Sequence, residues 1–174
     1  DRALMMTLYY EGLRRREASK LDRQDLRPAQ GILVLRNTKT TDRDEVTLRR
    51  EVAEALETYL AALDKEFPEI ASRGREPVFV SFSPRTLGGR LKPSSILAIV
   101  KSRALAAGIR RNIVAHSFRH ACVTHALDHR ASIEQAGAHA RHKDPRTTAR
   151  YDRRRKSRGA VAVDALPHFG AGAR

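Results

Sequence analysis

His142-Lys143-Asp144-Pro145-Arg146-Thr147-Thr148-Ala149-Arg150-Tyr151 sets a tyrosine nine residues after a histidine, in a run of cations rather than apolar residues. The chain has only four tyrosines, and this placement makes Tyr151 a candidate nucleophile. The plainer reading is a half-buried ring with its hydroxyl satisfied, which is common for tyrosine. Residues upstream bear on the choice. His116-Ser117-Phe118-Arg119-His120 ends 31 residues before Tyr151, and residues three or four apart share a helix face. His116 and Arg119 can therefore point at one phosphate together. Taken alone, the same five residues also fit Ser117 as an N-cap, Phe118 in the core and two partly exposed histidines. The histidines at 116, 120 and 125 lack the carboxylate or Glu partner of a zinc-hydrolase pattern, so no metal is expected.

Composition narrows the partner. Lys and Arg number 34 against 20 Asp and Glu, a formal charge of +14, which favours a polyanion and first of all DNA or RNA. Arginine dominates the excess, and its planar fork of donors matches phosphate oxygens. No apolar run approaches the ~20 residues that span a bilayer, so no membrane partner is expected. No signal-peptide pattern opens the chain. Cys122 is the only cysteine, which leaves no disulfide framework within the chain and fits a cytoplasmic setting.

At 174 residues the chain reads as one domain. Residues 3–10 are nearly all apolar or aromatic, and Gly12 separates them from a helical spacing of Leu13, Glu17, Ala18 and Leu21, which predicts two helices with a tight junction. Ile32-Leu33-Val34-Leu35 and Val46-Thr47-Leu48 flank a polar stretch and predict a hairpin. Val52, Leu56, Tyr59, Leu60 and Leu63 recur at three- and four-residue steps, the pattern of an amphipathic helix, whose extension Pro68 ends. Val78-Phe79-Val80 predicts a third strand. Gly88, Gly89 and Pro93 mark a loop, after which Ser94 or Ser95 would cap a helix running to about Ala107. The rest is helical in pattern. The fold expected is α+β, mostly helical, with a small three-stranded antiparallel sheet.

These motifs, in this order, resemble the catalytic domain of the tyrosine recombinases, or phage-type integrases. That family has a helix ending in Gly-Leu-Arg with an acidic residue three positions later, and here Gly12-Leu13-Arg14 is followed by Glu17. Its hairpin lysine is matched by Lys39, upstream of Val46-Thr47-Leu48. Its His-x-x-Arg-His motif is similar to His116–His120, its late histidine to His142, and its nucleophile to Tyr151. The nine-residue step selects His142 over His139.

The resemblance implies metal-independent DNA strand cleavage and rejoining through a 3'-phosphotyrosine, with neither cofactor nor metal. Two guanidiniums, Arg14 and Arg119, would stabilise the charge of the pentacoordinate phosphate. His116 and His142 would donate hydrogen bonds to non-bridging oxygens or move protons, and Lys39 would protonate the leaving 5' oxygen as general acid. Glu17 is expected to orient the helix of Arg14, and His120 to support the site. Double-stranded DNA is the expected partner, with self-association as a dimer or tetramer on it and nucleoid association through it. Other readings are type IB topoisomerase-like relaxation, a non-catalytic DNA-binding regulator derived from an integrase, and, more remotely, an RNA-binding structural protein.

Three departures carry expectations. The family has glycine before the late histidine, where this chain has Arg141; if that glycine serves a tight turn, the geometry around His142 must differ. Thr47 stands for a common proline at a strand end. Finally, the resemblance places residues 1–174 in the catalytic domain, with an active core over 1–151 and with 152–174 as a basic stretch and a tail of the kind that the family exchanges between subunits. The family's amino-terminal core-binding domain is expected to be absent.

Overall fold

The computed structural model describes residues 1–36, 43–71 and 76–152. Lys39 and the tail beyond Asp152 therefore lie outside the described residues. The apolar run at the start forms α1 (Arg2–Tyr10), and the corner at Glu11–Gly12 leads into α2 (Arg15–Lys20). Gly12 sits at φ 56°, a left-handed conformation open to glycine without steric penalty, so the tight junction expected there forms. The start of α2 is closed by Glu17, its third residue, whose Oε2 accepts the backbone N–H of Arg14 at 2.7 Å.

Strands β1 (Leu26–Arg27), β2 (Ile32–Arg36) and β3 (Arg43–Thr47) pair antiparallel in the order β1-β2-β3. Leu33 lies opposite Val46 in β3 and Leu26 in β1. The predicted hairpin is thus β2–β3, but the third strand is not Val78–Val80. Those residues are buried, but the backbone bends at Val78 and Phe79, Val78 N–H donates to Leu21 C=O and Phe79 C=O accepts from Leu91 N–H. The segment spends its backbone groups on loops and forms only isolated bridges, one joining Val80 to Arg90.

The amphipathic pattern gives α3 (Arg50–Glu66), with Val52, Leu56 and Leu63 buried. Pro68, which cannot continue a helix, instead opens α4 (Pro68–Ala71). The next helix is α5 (Pro93–Ala106). Neither Ser94 nor Ser95 caps it; Lys92 is its N-cap and Pro93 its first residue, where a missing N–H costs nothing. The α6 (Ala115–Asp128), α7 (Ile133–His139) and α8 (Pro145–Ala149) helices follow. Asp144 caps α8 by accepting from Arg146 N–H at 2.8 Å.

Packing divides the interior. The larger cluster joins α1, α2, the sheet, α3 and α5 through Leu8, Leu13, Leu33, Val52, Leu56 and Val100, and reaches Ala115 at the start of α6. A second, small cluster of Val123, Leu127, Ala136 and Ala140 lies between α6 and α7, with Tyr151 packed against it. Helix α6 belongs to both. No helix among the described residues is long and apolar enough to cross a membrane.

Candidate active site

Arg119 is the anchor of the site. It points inward from α6 and is 1% exposed, and its Nη1 donates to Gly12 C=O at 2.6 Å. Its Nε and Nη2 have no protein partner, so a buried cation keeps two donors uncommitted. Burial, reinforced by Arg14 and Arg141, lowers its pKa to about 10; it stays charged at neutral pH.

Arg14 meets it from the α1–α2 corner. Its Nη1 pairs with Glu17 Oε1 at 2.6 Å, and its side chain is 48% exposed. The Glu17 carboxylate therefore holds both the Arg14 guanidinium and, through Arg14 N–H, the start of α2. Burial alone would lift the Glu17 carboxyl, but Arg141, and then Arg14, hold it below the usual carboxylate value. Ser117 is not the cap of α6; Val114 is, and the Ser117 hydroxyl accepts from Val114 N–H at 3.2 Å. That register leaves His116 at the mouth of the helix and Arg119 one turn deeper. Burial, then Arg119, His120 and Arg14, lower the His116 pKa.

His142 and Tyr151 come from the turns flanking α8. The His142 Nδ1 lies 2.9 Å from the Thr148 hydroxyl, and its ring stacks on Tyr151 with centroids 6.0 Å apart and planes 19° apart. His120 meets the same tyrosine edge-on at 4.5 Å. Burial, and after it Arg119, Arg14, His116 and Arg141, push His142 down to about 4. Both site imidazoles are therefore neutral in the free protein near pH 7. His139 is occupied elsewhere, its Nε2 bonding Tyr10 C=O at 2.8 Å.

The sequence-derived residues Arg14, Glu17, His116, Arg119, His120, His142 and Tyr151 thus converge where the α1–α2 corner meets α6 and the α7–α8 turn. Lys39 lies outside the described residues. Among the described residues no three metal-ligating side chains gather.

Sequence reading missed three contributors. Arg141 takes φ 53°, so the tight turn exists with arginine in it, and its guanidinium folds back beneath the site to Glu17 Oε2 at 2.9 Å. Fully buried Thr148 holds His142; its only sequence signal is a hydroxyl six residues on. Glu11 is fully buried too; burial, opposed by Arg49 and Arg141, raises its carboxyl to about 7. A carboxylate closing an apolar run was the available sign.

Comparison with known proteins gives the family and the fold. The model of the phage integrase family matches residues 1–158. Tyrosine recombinase XerD of Mycobacterium tuberculosis is 31% identical over 173 residues, covering 99% of this chain and 51% of the relative. Tyrosine recombinase XerC of Myxococcus xanthus is 32% identical over 152 residues, covering 87% and 49%. This chain spans about half the length of the curated relatives it matches. Among solved structures, XerA recombinase superposes with a TM-score of 0.75 at 23% identity, over 95% of this chain and 58% of that one. The XerH site-specific recombinase bound to a palindromic difH substrate in a post-cleavage complex gives 0.74 at 20%, over 94% and 45%.

Proposed function

This chain belongs to the phage integrase family, the tyrosine recombinases, and on that premise we propose that it cleaves and rejoins DNA strands at specific sites through a covalent phosphotyrosine. The observation that carries the proposal is the pair of uncommitted donors on buried Arg119, an arginine close enough to Arg14, His116, His142 and Tyr151 for their charges to act on one another. A buried charge with unused N–H groups is unfavourable unless something fills the site, and a phosphate diester offers the matching acceptors.

Tyr151 Oη attacks the phosphorus, the bond to the 5' oxygen breaks, and a 3'-phosphotyrosine remains with a free 5' hydroxyl. Arg14 and Arg119 stabilise the charge on the non-bridging oxygens. His116 and His142, neutral beforehand, either donate to those oxygens or take the phenol proton. Lys39 gives the 5' oxygen its proton, a role that rests on the family resemblance. Double-stranded DNA is the substrate, and the exchange reaction requires copies of the protein to meet on it. The relatives named above are recombinases, which supports exchange over simple relaxation. Arg141 faces protein acceptors behind the pocket and leaves Arg119 Nε and Nη2 free, which supports a working site over a purely regulatory one.

The test is a library of nicked duplexes of randomised core sequence, in which the short segment beyond the cut diffuses away and traps the intermediate. A protein–DNA adduct stable to denaturation is expected, mapping to Tyr151 by peptide mass and absent from Tyr151→Phe. An adduct that persists in Tyr151→Phe removes this nucleophile; none from the wild type removes the function.

A further inference from the structure

Arg141 occupies a conformation that disfavours any side chain with a Cβ. Among the described residues, Arg130 and Arg141 are the two non-glycines with positive φ. Arg130 is exposed, whereas the Arg141 side chain is only 12% exposed. A backbone held in such a state needs support from its surroundings, and here the guanidinium supplies it. Nη1 donates to Glu11 C=O at 3.3 Å and His139 C=O at 3.0 Å; Nη2 donates to Gly12 C=O at 3.2 Å and Glu17 Oε2 at 2.9 Å.

Two of these four acceptors are shared with the cations of the site. Gly12 C=O also holds Arg119. The Glu17 carboxylate also holds Arg14, and the carbonyl of Arg141 itself accepts from Arg14 Nη2 at 3.4 Å. His142 follows directly in the chain. One rigid fork of donors therefore ties the α1–α2 corner, which carries Arg14 and receives Arg119, to the turn that carries His142 and leads to Tyr151. A glycine at 141 would permit the same turn but make none of these bonds.

We propose that Arg141 is a positioning residue: it fastens the α7–α8 turn to the Glu11–Gly12 carbonyls and Glu17, so that Arg14, Arg119 and His142 face one phosphate before DNA arrives. The proposal rests on the strand-cleavage reading above. It assigns Arg141 no contact with DNA, because both terminal nitrogens are committed to protein acceptors and its one partnerless donor, Nε, is a single N–H rather than a fork.

The experiment compares wild type, Arg141→Gly and Arg141→Lys on the nicked duplex selected above, measuring single-turnover adduct formation and DNA affinity separately. Arg141→Gly is expected to lose roughly 100-fold in adduct rate, the scale of a ~1 Å misplacement, with affinity little changed. Arg141→Lys recovers little, since a single ammonium cannot span four acceptors. Added guanidinium ion restores part of the rate of Arg141→Gly and none of Tyr151→Phe. An Arg141→Gly protein as fast as wild type overturns the proposal. So does a rate loss matched by lost affinity or lost folded protein that guanidinium leaves unrepaired, because Arg141 would then hold the fold rather than the site. Should the wild type form no adduct, the functional reading fails and the proposal is judged on the DNA-free protein. Displaced Arg119 Nε–H and His142 ring resonances in Arg141→Gly would support it, and unmoved ones would overturn it.

Discussion

The two ends of α6 rest in different interiors. At its start, Ala115 is buried in the large cluster with α1, α2, α3, α5 and the sheet; toward its end, Val123 and Leu127 form the small cluster with Ala136 and Ala140, on which Tyr151 packs. Arg119 lies between, bonded back to Gly12. The guanidinium side of the site is thus braced by an extensive core, while Tyr151 rests on four buried side chains. Close packing fixes groups only as well as the number of neighbours allows, so the tyrosine side is the one that small perturbations should move. Local opening favours regions with few buried apolar contacts, and under the proposed chemistry, in which Tyr151 moves onto phosphorus, that is where the tyrosine benefits from lying.

The largest effect should come from the braced side. Arg119→Met keeps the length of the side chain and removes the charge. Adduct formation should fall by roughly 1000-fold or more, since a single well-placed donor to developing charge is worth about 100- to 1000-fold and Arg119 offers two. Stability should move the other way or hardly at all. Replacing a buried, incompletely partnered charge with an apolar group of similar volume is often neutral or stabilising by about 1–4 kcal/mol, although the bond to Gly12 is lost. Thermal unfolding and adduct kinetics on the same preparation decide it: a strongly lowered melting temperature would mean that Arg119 holds α6 to the α1–α2 corner more than it waits for substrate.

Next in size is the direct contrast between the interiors. Leu56→Ala in the large cluster and Leu127→Ala in the small one should each cost about 2–5 kcal/mol, the range for buried leucine truncations. Their effects on chemistry should part. Leu127 supports the seat of Tyr151, so its loss should slow adduct formation about tenfold or more among molecules that remain folded, by misplacing the nucleophile. Leu56→Ala should leave that rate within about twofold, because additivity holds for sites without shared partners. Equal slowing in both variants would erase the distinction between the two interiors.

How far the sequence discloses this division varies by element. The α3 helix is legible because Val52, Leu56 and Leu63 repeat at helical spacing, the first two facing the large cluster and Leu63 a small separate one with Ile70 and Val80, and the β2–β3 hairpin because two β-branched runs flank a polar stretch. Strand β1 is two residues long and carries no period to read. Val78–Val80 has the composition of a strand, but its hydrogen bonds go to Leu21 and Leu91, and composition does not say where a backbone bonds. For the site, residue types and their order identify Arg14, Arg119, His116, His142 and Tyr151 through family resemblance. The bracing of Arg141 is invisible in sequence, since its acceptors are mostly backbone carbonyls, which every residue has. Gly137 shows the same limit. It has no positive φ, and its place follows from α8: a Cβ there would lie 2.9 Å from Thr148 Oγ1, too close for an unmoved neighbour.

Thr148 offers the smallest change that still reaches the nucleophile's side. Its hydroxyl bonds His142 Nδ1, and the direction of that bond sets the tautomer: if Thr148 donates, His142 presents an Nε2–H donor to phosphate; if His142 donates, it presents Nε2 as a base for Tyr151. Thr148→Val keeps the shape and removes the bond, which should cost about 1 kcal/mol of stability and roughly tenfold in adduct rate, whereas Thr148→Ser should keep most of both. The pH dependence follows from His142 being held at about 4 against its ordinary 6.5. The unfolded chain takes up the His142 proton first, so this residue's contribution to stability is full above pH 6.5 and is lost as pH falls toward 4. The acid limb of kcat/KM reports groups of the free enzyme, so the part that His142 sets should lie near pH 4. A limb at 6.5 assigned to His142 by its ring resonances would mean that the imidazole is not buried beside Arg119 and Arg14, and that the small interior does not hold the turn closed against the large one.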